Sequence, residues 1–236
     1  MIVDLIDRLT SPVMRAVLPG LALTAAGVWA FVGVLDQFLE REDIYLVDQP
    51  ALDWLIEIRT PWLTTTLTVI TNAFGPVILP IVIGVACVVW ARLTRAWRDP
   101  FLLAAAMVMS TVVAMTVKML VARPRPADDL QVIPGLETSY SFPSGHTTGA
   151  TTLVLVTAYL LWRRRRGRRS LAAWGLVSVV IVLIVGGSRL YLGYHFVTDV
   201  LAGACLGLVT LGLVVAASRW LDLRRRRADD AAVTSA

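Results

Sequence analysis

The sequence predicts an all-α, polytopic membrane protein, a bundle of six transmembrane helices with both termini in the cytoplasm. Three observations carry this. Of the 236 residues, 57% are hydrophobic, and the mean hydropathy is +0.71, whereas soluble domains hold about 45–50% apolar residues. The apolar residues fall into six stretches, at 14–36, 63–91, 100–122, 145–162, 171–187 and 196–218, each close to or above the roughly 20 residues that cross a bilayer core as a helix. Finally, arginines crowd alternate connections between these stretches, as the positive-inside rule requires of cytoplasmic loops.

Taken in order, the first span is read as retained, because Asp4 and Asp7 stand where a secretory signal carries positive charge and the apolar run is too long for one. The connection 37–62 is acidic from Asp36 to Glu57, and within it 51–58 reads as a short amphipathic segment lying on the outer surface. The second span ends at Arg92, Arg95 and Arg98; the third runs outward and ends at Lys118. The long loop 123–143 then lies outside, and its Asp128, Asp129 and Glu137 read as solvated loop acids. The fourth span starts at Ser144 and returns to Arg163, Arg164, Arg165, Arg166, Arg168 and Arg169. The fifth leads out to Ser188 and Arg189, with Gly186 and Gly187 read as sites of close helix packing or a helix end. The sixth leads back to the arginines at 224–227, and Arg8 and Arg15 add to the same side. The polar end, about 228–236, is expected to be a disordered tail, and the whole of 1–236 to be one domain.

A net charge of +5 and a pI near 9.8 raise nucleic acid as a partner. The distribution of the charge excludes it: the arginines mark sidedness and contact anionic lipid, without interleaved aromatics to stack bases. Cys87 and Cys205 lie within apolar spans and read as small packing residues.

Three polar blocks interrupt this pattern, each at the end of an apolar run: Lys118 with Arg125 and Pro126; Pro143, Ser144, Gly145 and His146; and Ser188, Arg189, His195 and Asp199. They contain the chain's one lysine and both its histidines. Ionisable groups at membrane depth are costly and read as functional by default, and the predicted topology brings all three blocks to the outer face, although it was assigned from arginines elsewhere.

Lys118, Arg125 and Arg189 form a cluster of fixed cations, and the arginine fork matches phosphate oxygens. Ser144 and Gly145 open a helix behind Pro143, so free N–H groups and the positive helix end point at the same anion. His195 and Asp199 are four residues apart on one helix face. The carboxylate can hold one imidazole nitrogen as N–H and leave the other as nucleophile, while His146 can protonate a leaving oxygen. The scheme requires no metal or other cofactor, and two histidines with one Asp make a poor ligand set for a metal. Taken singly, Lys118 reads as a snorkelling lysine and the arginine–proline pairs as interface anchors; the joint arrangement decides against that. A lipid transporter is the rival from another class, but the charges gather on one face and not at the bilayer midplane.

The pattern K-x6-R-P, P-S-G-H and S-R-x5-H-x3-D, spanning 118–199, resembles the type 2 phosphatidic acid phosphatase family, integral-membrane lipid phosphatases with vanadium haloperoxidases as soluble relatives. The resemblance implies a metal-independent phosphohistidine mechanism with His195 attacking, Asp199 orienting it and His146 as general acid. It further implies phosphate binding by Lys118, Arg125, Ser144, Gly145 and Arg189, with Ser188 shaping the pocket. Because Arg-Pro repeats at 123–126, Arg123 is a second candidate for the role that the six-residue interval gives Arg125. The expected substrate is a lipid phosphate on the outer leaflet of a bacterial plasma membrane. Family habit favours a polyprenyl diphosphate, with phosphatidate or phosphatidylglycerophosphate as the alternative.

Overall fold

A computed structural model describes residues 11–165 and 167–234. Asp4, Asp7, Arg8 and Arg166, used above to assign sidedness, lie outside them, as do residues 235–236 of the expected tail. The described chain is helical: α1 Pro12–Glu40, α2 Tyr45–Glu57, α3 Pro61–Ala73, α4 Ile78–Thr94, α5 Arg98–Val121, α6 Gly145–Arg165, α7 Arg168–Tyr191 and α8 Val197–Thr234, with one 3-10 turn at Asp128–Leu130.

Four of these helices, α1, α5, α7 and α8, are long and apolar enough to cross a membrane, and a fifth span is obtained if α3 and α4 are joined. The two departures from six have separate causes. The expected span 63–91 is broken: α3 and α4 meet at 52° around Phe74, Gly75, Pro76 and Val77, where Pro76 supplies no N–H and destabilises the turn before it. The expected fourth span exists as α6, 21 residues long, but it is polar at both ends. Its first two turns carry His146, Thr147, Thr148, Thr151 and Thr152, with the four threonines buried against neighbouring helices. A helix enclosed by protein need not be apolar all round.

The first and last helices form the longest interface. It rests on small residues: a Cβ at Gly20 would lie 2.3 Å from the backbone nitrogen of Ala216, and one at Gly212 would lie 2.5 Å from that of Thr24. Backbones this close gain the dispersion contacts that hold helices together in lipid, where hydrophobic exclusion gives no drive. α6 packs against α8, α7 and α5, so it is the central helix of the site-bearing half. Its Val156 and Leu160 join Leu79, Ile83, Leu102, Leu103 and Val214 in the main apolar cluster. Large apolar side chains such as Trp29, Leu93, Phe101 and Leu120 remain exposed on the outside, as a lipid-facing surface demands.

At the end of the bundle away from the three motif blocks, Arg163 and Arg164 pair with Asp99 at 2.7 and 3.0 Å, and Arg98 pairs with Asp222. Residues 51–57, expected to lie on the surface as part of an amphipathic segment, form the second half of α2, with Leu52 buried and Trp54 exposed. Helix α8 continues to Thr234, which corrects the expectation of a disordered tail for residues 228–234. The alanines there, Ala228, Ala231 and Ala232, are good helix formers, and a long helix once nucleated propagates through Asp229 and Asp230.

Candidate active site

The three blocks meet at the end of the bundle opposite the Asp99–Arg163 cluster. Block three is set by the turn between α7 and α8. Gly193 adopts φ +80, and a Cβ there would lie 2.2 Å from the carbonyl oxygen of Leu130, so only glycine admits this turn beneath the loop 123–143. The loop is stitched down around it: the Val132 N–H donates to the Leu192 carbonyl at 3.0 Å, and the Arg59 guanidinium donates to the carbonyls of Tyr191 and Leu130 at 2.8 and 2.7 Å.

His195, 1% exposed, sits just before α8. Its Nδ1 lies 3.3 Å from Asp199 Oδ2 and 3.3 Å from Ser141 Oγ. Its Nε2 lies 3.3 Å from Arg125 Nη1. Asp199 also accepts from the Phe196 N–H at 2.9 Å and from the Ser141 hydroxyl, which fixes the carboxylate against the imidazole. Burial first, then Arg125, Arg189 and Lys118, push the His195 pKa well below the usual imidazole range. The ring is therefore neutral, with Nδ1–H held by Asp199 and Nε2 aimed at the cations.

Those cations converge. Arg125 donates to the carbonyls of Tyr194 and Ser139 at 2.8 and 2.7 Å, which holds its fork in place. Arg189 is 2% exposed, stacks 4.5 Å from the Tyr194 ring centroid, and donates to Thr71 Oγ1 at 3.3 Å. Its Nε is buried with no partner among the described residues. Lys118 Nζ donates to the Tyr140 carbonyl and, at 3.3 Å, to that of Ser141. Its Cε would be 3.9 Å from a Cβ on Gly145, which places it beside the start of α6.

Between Arg125 and Arg189 lies the carboxylate of Glu137, 2.6 Å from Arg125 Nη2 and bonded to Arg189. Its Oε1 is 3.9 Å from His146 Nδ1. Although burial opposes ionisation, Arg189 and Arg125 hold the Glu137 carboxyl down to about 2. Glu137 is thus no solvated loop acid. It is an anion bound where the two guanidinium forks meet, which is the contact a phosphate would make there.

The remaining candidates divide. Gly145 is exposed in the first turn of α6, where backbone N–H groups lack helical partners. Ser144 is fully buried, and its Oγ accepts from the N–H and hydroxyl of Thr147 at 3.4 and 3.0 Å, so it caps α6. The Ser188 hydroxyl is likewise buried and donates to the Val185 carbonyl at 2.7 Å, within its own helix. Arg123 lies apart from the cation cluster: its guanidinium bonds Asp48 at 2.8 Å and Asp199 at 2.7 Å. Glu137, Asp48, Ser141 and Thr71 contact the expected site residues and were not anticipated. The one sequence signal for Glu137 was its place in the loop that also carries Arg125; none marked the others.

A cavity of about 200 Å³ opens beside Arg123, Arg125, Glu137 and Tyr140. It is smaller than the roughly 300–1,000 Å³ of drug-sized ligand pockets, and its lining includes Arg125 and Glu137 but neither histidine.

The chain is similar to known proteins. Residues 99–222 match the family model described as the PAP2 superfamily. The chain is 30% identical over 190 residues to "Phosphatidylglycerophosphatase B" of Bacillus subtilis, covering 79% of this chain and 91% of that protein. Over a shorter stretch of 74 residues, 30% of each chain, it is 35% identical to "Undecaprenyl-diphosphatase" of Sulfolobus acidocaldarius. Among solved structures, a transmembrane PAP2-type phosphatidylglycerolphosphate phosphatase from Bacillus subtilis superimposes with a TM-score of 0.68 at 28% identity, over 83% of this chain and 94% of that one. Sequence motifs, helical architecture and these matches together make the chain a member of the PAP2 superfamily.

Proposed function

We propose that the protein hydrolyses the terminal phosphate of a membrane lipid phosphate through a phosphohistidine intermediate, at the extracytoplasmic face of a bacterial plasma membrane. The observation that carries this is the His195 environment: one ring nitrogen on Asp199, the other on Arg125, with Arg125 and Arg189 jointly gripping an anion. The names of the relatives, all lipid phosphate hydrolases in their printed descriptions, support the same reaction class.

In the first step the Nε2 lone pair of His195 forms a bond to phosphorus as the bond to the leaving oxygen breaks. His146 gives that oxygen its proton, and Asp199 keeps Nδ1–H in place as positive charge develops on the ring. Arg125, Arg189, Lys118 and the free N–H groups at Gly145 hold the non-bridging oxygens. In the second step water attacks phosphorus and gives a proton to His146; the N–P bond breaks and inorganic phosphate leaves.

Two substrate readings have separate support. The relative aligned over most of this chain is named for phosphatidylglycerophosphate, and a shorter match is named for a polyprenyl diphosphate. Purified protein in detergent, given phosphatidylglycerophosphate, phosphatidate and undecaprenyl diphosphate with chelator present, is expected to release phosphate, and the ranking of kcat/KM assigns the substrate. No release from any of the three would overturn the proposal.

A further inference from the structure

Asp48 lies on α2, far from the motif blocks in sequence, yet it is 3% exposed and bonded to the helix that carries the nucleophile's partner. Its Oδ1 accepts the Thr198 N–H at 2.9 Å, and its Oδ2 accepts the Thr198 hydroxyl at 2.6 Å. Thr198 is in the first turn of α8, so Asp48 supplies from another helix the acceptor that an N-cap residue ordinarily supplies locally. The same Oδ2 takes Arg123 Nη2 at 2.8 Å. Arg123 Nη1 reaches Thr198 Oγ1 at 2.6 Å and Asp199 Oδ1 at 2.7 Å. The guanidinium is 5% exposed and lies between aromatic faces, 4.6 Å from the Phe38 centroid and 4.2 Å from that of Phe196.

This arrangement fixes Asp199 from behind. Two carboxylates share one guanidinium, so the cluster retains a net negative charge beside His195. A guanidinium paired with Asp199 alone would neutralise that carboxylate and weaken its hold on Nδ1–H as charge develops on the ring. We propose that Asp48 and Arg123 are positioning residues, a carboxylate–guanidinium relay that sets the angle of α8 and keeps Asp199 anionic toward His195. This rests on the phosphohistidine reading above, and it removes Arg123 from the phosphate cradle.

The test uses the full-length protein in detergent. Asp48→Asn keeps a capping acceptor while removing the charge, Asp48→Ala removes both, and Arg123→Lys keeps a charge but cannot bridge two carboxylates. For Asp48→Asn, kcat on a lipid phosphate and the single-turnover rate of phosphoenzyme formation should each fall roughly tenfold or more, with KM and vanadate inhibition changed less than about twofold. Thermal unfolding of this variant should stay near wild type, whereas Asp48→Ala should lose stability as well. Arg123→Lys should recover only a small part of kcat relative to Arg123→Ala. Unchanged kcat in Asp48→Asn would overturn the relay, and so would a KM increase at constant kcat in Arg123→Lys, which would return Arg123 to phosphate binding. A thermal-unfolding cycle combining Asp48→Asn with Asp199→Asn needs no substrate. Non-additive midpoints are expected, and additive ones refute the coupling. If wild type releases no phosphate from any lipid while that coupling persists, the fault lies in the assigned reaction and not in the relay.

Discussion

Replacing Glu137 by Gln should make the enzyme bind phosphate-like ligands more tightly. In the resting protein this carboxylate occupies both guanidinium forks, so an incoming phosphate has to displace it. A carboxyl held at about 2 in place of its ordinary 4.5 is retained in ionised form by about 3 kcal/mol, which bounds the effect at a few hundredfold in affinity. The side chain is 20% exposed, so water screens part of that interaction, and the amide oxygen of Gln still accepts one weaker bond. An increase of about tenfold, close to 1.4 kcal/mol, is therefore expected. The assay is inhibition by orthovanadate and by inorganic phosphate, measured with a soluble phosphate ester to avoid lipid partitioning. Both inhibition constants should fall, and they should fall alike at pH 6 and pH 8, because Glu137 is ionised throughout that interval. Weaker inhibition in Glu137→Gln would show that the carboxylate organises the two arginines for phosphate and does not compete with it.

Phosphate release should persist in excess chelator and be blocked by vanadate; complete loss restored by magnesium or zinc would defeat the metal-free scheme. With a nitrophenolate leaving group, which needs little protonation, His146→Ala should regain measurable activity and His195→Ala none, so equal rescue would mean that the two roles are reversed. Cysteines placed at 128–137 should react with an impermeant thiol reagent on intact cells, and ones placed at 164–165 should not. The opposite labelling would put the site in the cytoplasm. Gly20→Leu should lower the thermal midpoint by forcing α1 from α8, at a cost of at least about 1–3 kcal/mol for an overpacked contact; an unchanged midpoint would deny that the close approach matters. On acidification, the stability that Glu137 contributes should be complete above about 4.5 and disappear as pH falls toward about 2, so Glu137→Gln should flatten the acid limb of unfolding.

How much of this was legible beforehand depended on whether a feature is local. The convergence of Lys118, Arg125, His146, Arg189, His195 and Asp199 followed from span order and charge placement, because alternating helices leave few choices for which ends coincide. The break at Gly75 and Pro76 was also written locally, yet total hydropathy across 63–91 concealed it. Helix α6 was found as an apolar run, but its buried threonines make it an interior helix, a distinction that depends on neighbours. Ser144 and Ser188 illustrate a different limit: their hydroxyls are committed to Thr147 and to the Val185 carbonyl, and no spacing rule reveals where a small hydroxyl turns. Asp48 and the true partners of Arg123 were invisible for the same reason, since each depends on contacts made across the bundle, up to 150 residues away in the case of Asp48 and Thr198, and Glu137 showed only by its place in the loop that carries Arg125.

The interface between the first and last helices also determines when the enzyme becomes dangerous. Chains emerge N-terminus first, so α8 follows α1 to α7 into the membrane. Until Gly212 settles against Gly20 and Val209 against Gly27, the growing chain already carries Lys118, Arg125 and His146, but the segment bearing His195 and Asp199 has no seat. On the proposed mechanism, a chain whose α8 is not yet docked lacks a seated nucleophile. Under the proposed mechanism, hydrolysis begins only once α8 has closed against α1.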